Sequence, residues 1–262
     1  MKKKLLITTA MLLLCLTSCG MMSNVVNNHI NTSNTSPKNT NSNSDGIGVV
    51  SVSTTKSNNG VSVEYTNALI RAQSYSDINH MSKQGIYDQL ISQYVEKFSK
   101  DAAQYAIDNL KVDYKQNALK RAQSYSDTNH MSKQGIYDQL TSKYVEKFTA
   151  EEAQYAVDNL KADYKQNALK SAQSYSDTNH MSKQGIYDQL TSKYVEKFTA
   201  EEAQYAIDNL KVDYKLNALK RAQSYRDTNH MSKQAIYDQL TSKYVEKFTA
   251  EEAQYAIDHL DD

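Results

Sequence analysis

Apolar positions fall at helical intervals along this chain, and the same pattern returns every fifty residues. From Asn117, the residues Ala118, Leu119, Ala122 and Tyr125 line one face of a first helix. The polar cluster Ser126-Asp127-Thr128-Asn129 offers side-chain hydrogen bonds that compete with a helix and favour a turn, after which Ser132 is placed to cap a second helix. That helix carries Ile136, Leu140 and Tyr144 at i, i+4 and i+8, with Tyr137 and Val145 broadening the stripe and Phe148 anchoring the connector behind it. Tyr125, Tyr137 and Tyr144 are therefore expected in the core, each with its hydroxyl at the surface. A third helix opens on Thr149-Ala150-Glu151-Glu152, a capping box in which threonine hydroxyl and glutamate carboxylate satisfy each other's backbone amides. Its buried face is Ala153, Ala156, Val157 and Leu160. The first copy reads Ser99-Lys100-Asp101-Ala102, which keeps the cap and loses the box.

The segment recurs from Asn67, Asn167 and Asn217 with few changes. The expected fold class is all-α, with four tandem three-helix modules over 61–110, 111–160, 161–210 and 211–262. Neither Gly nor Pro interrupts Ala150 to Tyr175, and the apolar stripe runs on through Tyr164, Ala168 and Ala172. That continuity predicts long shared helices of about 26 residues, ~39 Å each, joining one module to the next. A break at Asp163 to Asn167, where polar residues crowd, is the alternative. Gly85, Gly135 and Gly185 give way to Ala235 in the last module, so the position is expected to be ordinary helix and not a left-handed or phosphate-binding turn.

The amino terminus has a different grammar. Lys2, Lys3 and Lys4 precede the apolar run Leu5 to Leu16, which is too short to span a bilayer and has the build of a secretory signal. It ends in Leu16-Thr17-Ser18-Cys19, which resembles a bacterial lipobox. Residues 1–18 are then a lipoprotein signal peptide, and Cys19 is the lipid attachment site that ties the chain to membrane lipid. An ordinary signal peptide with an incidental cysteine is the alternative. Residues 19–60, rich in Asn, Ser and Thr, are expected to be a flexible tether, in which Ile47 to Val52 could form only a transient strand.

The full chain of 262 residues has 39% hydrophobic content, and the period divides it into four small cores. Its two cysteines, Cys15 and Cys19, lie outside the modules, so no disulfide staples them. Without the three leader lysines, 27 basic side chains face 30 acidic ones, a balance of about minus three. Phosphate binding needs clustered Lys and Arg, so no nucleic-acid partner is expected.

The periodic histidines His80, His130, His180 and His230 raise a metal reading. They lie fifty residues apart with no ligand at tight spacing beside any of them, which favours a histidine that caps or packs in a loop. No metal, cofactor or catalytic set is expected, and the chain reads as a binder. Candidate partner-binding residues are the third-helix acids and their offset tyrosine. They are Glu151, Glu152, Tyr155, Asp158 and Asp163, with their equivalents Glu201, Glu202, Tyr205, Asp208 and Asp213. Tyr155 falls off the Ala153, Ala156, Val157 stripe, so it is the tyrosine expected to be exposed for contact.

The stretch SKQGIYDQLTSKYVEKFTAEEAQYAVDNL, with a lipobox upstream, resembles the Ltp family of host cell surface-exposed lipoproteins. The resemblance covers roughly Asn67 to Leu260. It implies three-helix, helix-turn-helix-like units joined by a long helix, on a lipid-anchored chain outside the cytoplasmic membrane of a Gram-positive cell. Members include prophage-encoded lipoproteins that carry out superinfection exclusion, stopping phage DNA entry by engaging the tail tape-measure protein. The expected state is a monomer. A cell-wall-binding or adhesive surface lipoprotein is the alternative function.

Overall fold

The computed structural model describes residues 61–261. The leader, its Leu16-Thr17-Ser18-Cys19 box, the segment 19–60 and the Ile47 to Val52 stretch lie outside the described residues. Twelve helices carry the rest, three per module. They are α1 Val63–Asp77, α2 Lys83–Ile91 and α3 Lys100–Asn109, then α4 Tyr114–Asn129, α5 Lys133–Thr141 and α6 Ala150–Asn159. The third module has α7 Tyr164–Asn179, α8 Lys183–Thr191 and α9 Ala200–Asn209, and the fourth α10 Tyr214–Asn229, α11 Lys233–Thr241 and α12 Ala250–Asp258.

Each module closes its own core. In the second, Ala118 and Ala122 of α4 meet Ala153 and Ala156 of α6, all fully buried. Four alanines at one crossing let the two helix backbones approach closely, and the bulk is supplied by Ile136 and Leu140 from α5. Phe148 returns the chain to this core, its amide donating to the Leu140 carbonyl at 2.9 Å. The caps follow the sequence. Ser132 accepts from the Gly135 amide at 3.0 Å, and Thr149 and Glu152 form the full capping box. In the first module Ser99 caps without the box, and Glu64 of α1 takes over the missing role by accepting from the Ser99 amide at 2.8 Å.

His130, His180 and His230 are the left-handed C-caps of α4, α7 and α10, and His80 has the same positive φ, 51–53° in all four, two residues beyond the Ile78 cap of α1. The His130 amide donates to the Ser126 and Tyr125 carbonyls. Among the described residues no cluster of three or more His, Cys, Asp or Glu could hold a metal.

Two expectations about helix ends are overturned. The third helices do not run on into the next module: α6 ends at Asn159, Leu160 is extended at φ −68°, ψ 124°, and α7 starts afresh after Asp163. The Asp163 carboxylate accepts from the Gln166 amide at 3.1 Å, so it captures a donor that a continuous helix would spend on a carbonyl four residues back. Turning the chain at Leu160 also lets that side chain fold into the second core. The polar crowding at 163–167 was the correct signal.

Tyr144 is the second correction, because it is 83% exposed instead of core. Helix α5 stops at Thr141, and the Ser142 carbonyl then collects the amides of Val145 and Lys147 at 3.2 and 3.0 Å. Lys147 holds a left-handed φ of 60°. This tight turn throws Tyr144 and Val145 into solvent before Phe148 re-enters the core.

Consecutive modules dock through one repeated set of contacts. Asn117 Nδ2 donates to Ser76 Oγ at 2.9 Å and to the Met81 carbonyl at 3.0 Å, and Asn167 and Asn217 do the same one and two modules on. The cap serine has a double role: Ser82 Oγ accepts from the Gly85 amide and donates to the carbonyl of Glu146 in the next module. Lys147 pairs with Asp88, Lys197 with Asp138 and Lys247 with Asp188. Gly85, Gly135 and Gly185 are helical, as expected. What they supply is room: a Cβ at Gly85 would lie 3.1 Å from Ser82 Oγ, 3.3 Å from Met81 Cε and 3.7 Å from the Glu146 carbonyl.

Candidate interaction surface

The most repeated outward feature is the turn that follows each second helix. Tyr94, Tyr144, Tyr194 and Tyr244 are 82–98% exposed, and each is followed by a half-exposed valine, Val95, Val145, Val195 or Val245. In the last three modules a lysine lies over the ring, with Lys143 Nζ 4.9 Å from the Tyr144 centroid. The turn is held from below by a buried acid next to its tip. Glu146 accepts from Arg121 Nε at 3.0 Å and from the Tyr125 hydroxyl at 2.6 Å, with Arg121 Nη2 also donating. The rigid base and exposed apolar tip fit a contact element, because little ordering entropy remains to be lost on binding.

In the first module burial works to raise the Glu96 carboxyl, but the bonds from Arg71 and Tyr75 outweigh it and leave the group below its ordinary value. The tyrosine partners move the other way. Burial, then the hydrogen bond to Glu246, pushes Tyr225 up to about 12, and Tyr125 and Tyr175 are raised by the same causes. The third module breaks the pattern. Ser171 stands where Arg121 does, so Glu196 keeps only the Tyr175 hydroxyl at 2.6 Å.

The acids singled out from the sequence cluster on and beside the third helices, and most already have local partners. Glu151 pairs with Lys115 and Glu201 with Lys165, both at 2.7 Å on the surface, and these lysines hold the two carboxyls below their ordinary values. Glu152 and Glu202 close capping boxes, while Asp163 and Asp213 cap α7 and α10. Asp158 accepts from Lys133 and Gln154, and Asp208 from Gln204. Tyr155 is half-buried, not exposed as expected: its hydroxyl accepts from Gln116 at 2.9 Å, and Gln166 serves Tyr205 likewise at 2.8 Å. Glu202 and Gln154 also line a groove of about 310 Å³ between the second and third modules, walled by Lys133, Tyr137 and Lys197. A matching groove of about 300 Å³ lies between the first two modules.

Sequence reading missed the tyrosine-valine tip, since Tyr144 fits the i+8 position of an amphipathic stripe. The available signal was Ser142, a residue that withdraws donors from a helix end.

The repeated core, the caps and the module boundaries together define a tandem three-helix repeat protein. The chain belongs to the family described as host cell surface-exposed lipoprotein, Lipoprotein_Ltp, which matches residues 63–110, 113–160, 163–210 and 213–260. Among solved structures it is similar to Ltp, a superinfection exclusion protein from the Streptococcus thermophilus temperate phage TP-J34. The identity is 46% over 38% of this chain and 99% of that one, with a TM-score of 0.36. A comparison with curated proteins gave no match. Among the described residues no helix is long and apolar enough to cross a membrane.

Proposed function

We propose that this chain excludes superinfecting phages: anchored through Cys19, it engages an incoming phage component, the tail tape-measure protein, and blocks DNA injection. Family membership across all four modules carries the reading. The similar Ltp of phage TP-J34 is a superinfection exclusion protein. Residues 19–60 act as the tether between lipid and modules. The chain works as a binder, with no catalytic step and no cofactor.

The geometry supports multivalent contact. Four exposed tyrosine-valine tips recur at one register, and several weak contacts to one extended partner add through effective concentration. The surface acids Glu151 and Glu201 sit in exposed ion pairs of small energetic value, so a basic segment of the partner can displace Lys115 and Lys165 and pair with the two carboxylates.

The test is expression in a sensitive host, with phage adsorption and DNA entry measured separately. Normal adsorption with blocked DNA entry is the expected result, and unchanged DNA entry overturns the proposal. A pull-down of the chain against purified tail proteins and purified cell wall separates this reading from an adhesive one. Cys19→Ala should abolish exclusion by releasing the chain from the membrane.

A further inference from the structure

The module interface is polar: it has a head, made by Asn117, the Glu146 carbonyl and Lys147, and a tail, made by Ser76, Ser82, Gly85 and Asp88. Three such junctions occur between the described modules. Among the described residues, the matching halves in the first and fourth modules are exposed. The first module presents the head residues Asn67 and Lys97, both exposed where Asn117 is 6% exposed and Lys147 is part-buried. The fourth presents the tail residues Ser232 and Asp238, exposed where Ser82 is buried and Asp88 part-buried. A head and a tail of the same design on one chain permit a heterologous, head-to-tail contact, which can extend from copy to copy.

The tail of the fourth module departs from the others at two of its contact positions. Arg226 stands where Ser76, Ser126 and Ser176 receive the docking asparagine, and Ala235 stands where the other modules have Gly85, Gly135 and Gly185. In a formed junction that serine is 2–3% exposed, so an arginine there would bring a long charged side chain into a nearly closed space and fill the site of the asparagine amide. The Ala235 Cβ adds bulk where the interface leaves a Cβ only 3.1 Å from a serine hydroxyl that must also bond the incoming carbonyl. Arg226 is occupied elsewhere, donating to the Leu260 carbonyl and pairing with Asp227.

We propose that Arg226 and Ala235 close the outer face of the fourth module to the head of a second copy of this chain, preventing head-to-tail association. The occupant excluded is specific: the head face of the first module, with Lys97 aimed at Asp238 as Lys147 is at Asp88.

Carbodiimide cross-linking of the detergent-solubilised full chain, read by peptide mass spectrometry over a dilution series, tests this. The intrachain links Lys147 to Asp88, Lys197 to Asp138 and Lys247 to Asp188 report intact junctions in every sample. The double variant Arg226→Ser with Ala235→Gly should add an interchain Lys97 to Asp238 link and a ladder of multimers, raising the dimer fraction at least roughly tenfold over the unsubstituted chain. A variant that keeps its intrachain links and stays as monomeric as the unsubstituted chain overturns the proposal. So does an unsubstituted chain that already forms the Lys97 to Asp238 link. A second variant covers the case of misfolding: Ser126→Arg with Gly135→Ala moves the closing pair into the second junction. It should lower the Lys197 to Asp138 link at least roughly tenfold while sparing Lys147 to Asp88, and retention of both links at full yield overturns the proposal.

Discussion

Two classes of tyrosine separate at the residue scale. Tyr125 spends its hydroxyl on the nearly buried Glu146, whereas the hydroxyls of Tyr114, Tyr164 and Tyr214 are buried with no hydrogen-bond partner. A bond to a charged acceptor is worth more than an orphaned hydroxyl, whose removal is free or favourable. Tyr125→Phe should therefore cost about 1.5 kcal/mol of unfolding free energy, and Tyr164→Phe should be neutral or stabilising by up to ~1 kcal/mol, both read from denaturant titrations. Equal losses at the two sites would contradict the assignment. The same phenols set an alkaline limit. Burial, then Glu202, pushes Tyr164 up to about 12, and burial, then Glu246, does so for Tyr225, from an ordinary value of 10.0. A phenol whose folded value is raised contributes fully below its unfolded value and loses that contribution as pH climbs through the folded one. Stability should thus fall between pH 10 and about 12, and the fall should shrink in Tyr225→Phe.

Helix ends decide the architecture at the element scale. Asp163 holds α7 apart from α6, so Asp163→Ala should cost about 1 kcal/mol of stability, the usual worth of such a cap. An unchanged denaturation midpoint would show that Leu160 alone sets the break. The third module offers a gain. Ser171→Arg should restore the guanidinium that Glu146 and Glu246 enjoy, stabilising that module by about 1 kcal/mol after discounting for an exposed arginine stem. A rise in thermal midpoint of a few degrees, about 2–4 °C, checks it. The caps and the two apolar helix faces were legible from spacing alone. The position of Tyr144 was not, because an i+8 aromatic fits a helix equally well until Ser142 diverts the backbone.

The junctions make four small cores behave as one folded array at the scale of the whole molecule. A module of this size is marginal by itself, and each junction buries an asparagine-serine pair that neither module satisfies alone. Asn167→Ala leaves Ser126 without its donor and should uncouple the second and third modules, turning a single thermal transition into two in calorimetry. One sharp transition at the original midpoint would refute that coupling. The tips belong to this scale too. Replacing Tyr144, Tyr194 and Tyr244 with alanine together should lower phage exclusion while leaving the thermal midpoint unchanged, because each side chain is more than four-fifths exposed.

The sequence by itself determined the all-α class, the fifty-residue module, the serine and threonine caps, the helical state of the glycines and the family. The class, the caps and the glycines depend on local hydrogen bonding and on periodicity within one helix, and the module and the family on repetition and resemblance of the linear sequence itself. Tertiary structure decided what depends on a neighbour: the break at Asp163, the outward turn of Tyr144 and the engagement of Tyr155 and the acids by local partners. It also gave the glycines their reason, since a missing Cβ becomes valuable only where the next module brings a glutamate carbonyl onto the cap serine. In the sequence the change to Ala235 marks only an ordinary helical position, and the contact it would make with a docking module is visible only in the junctions.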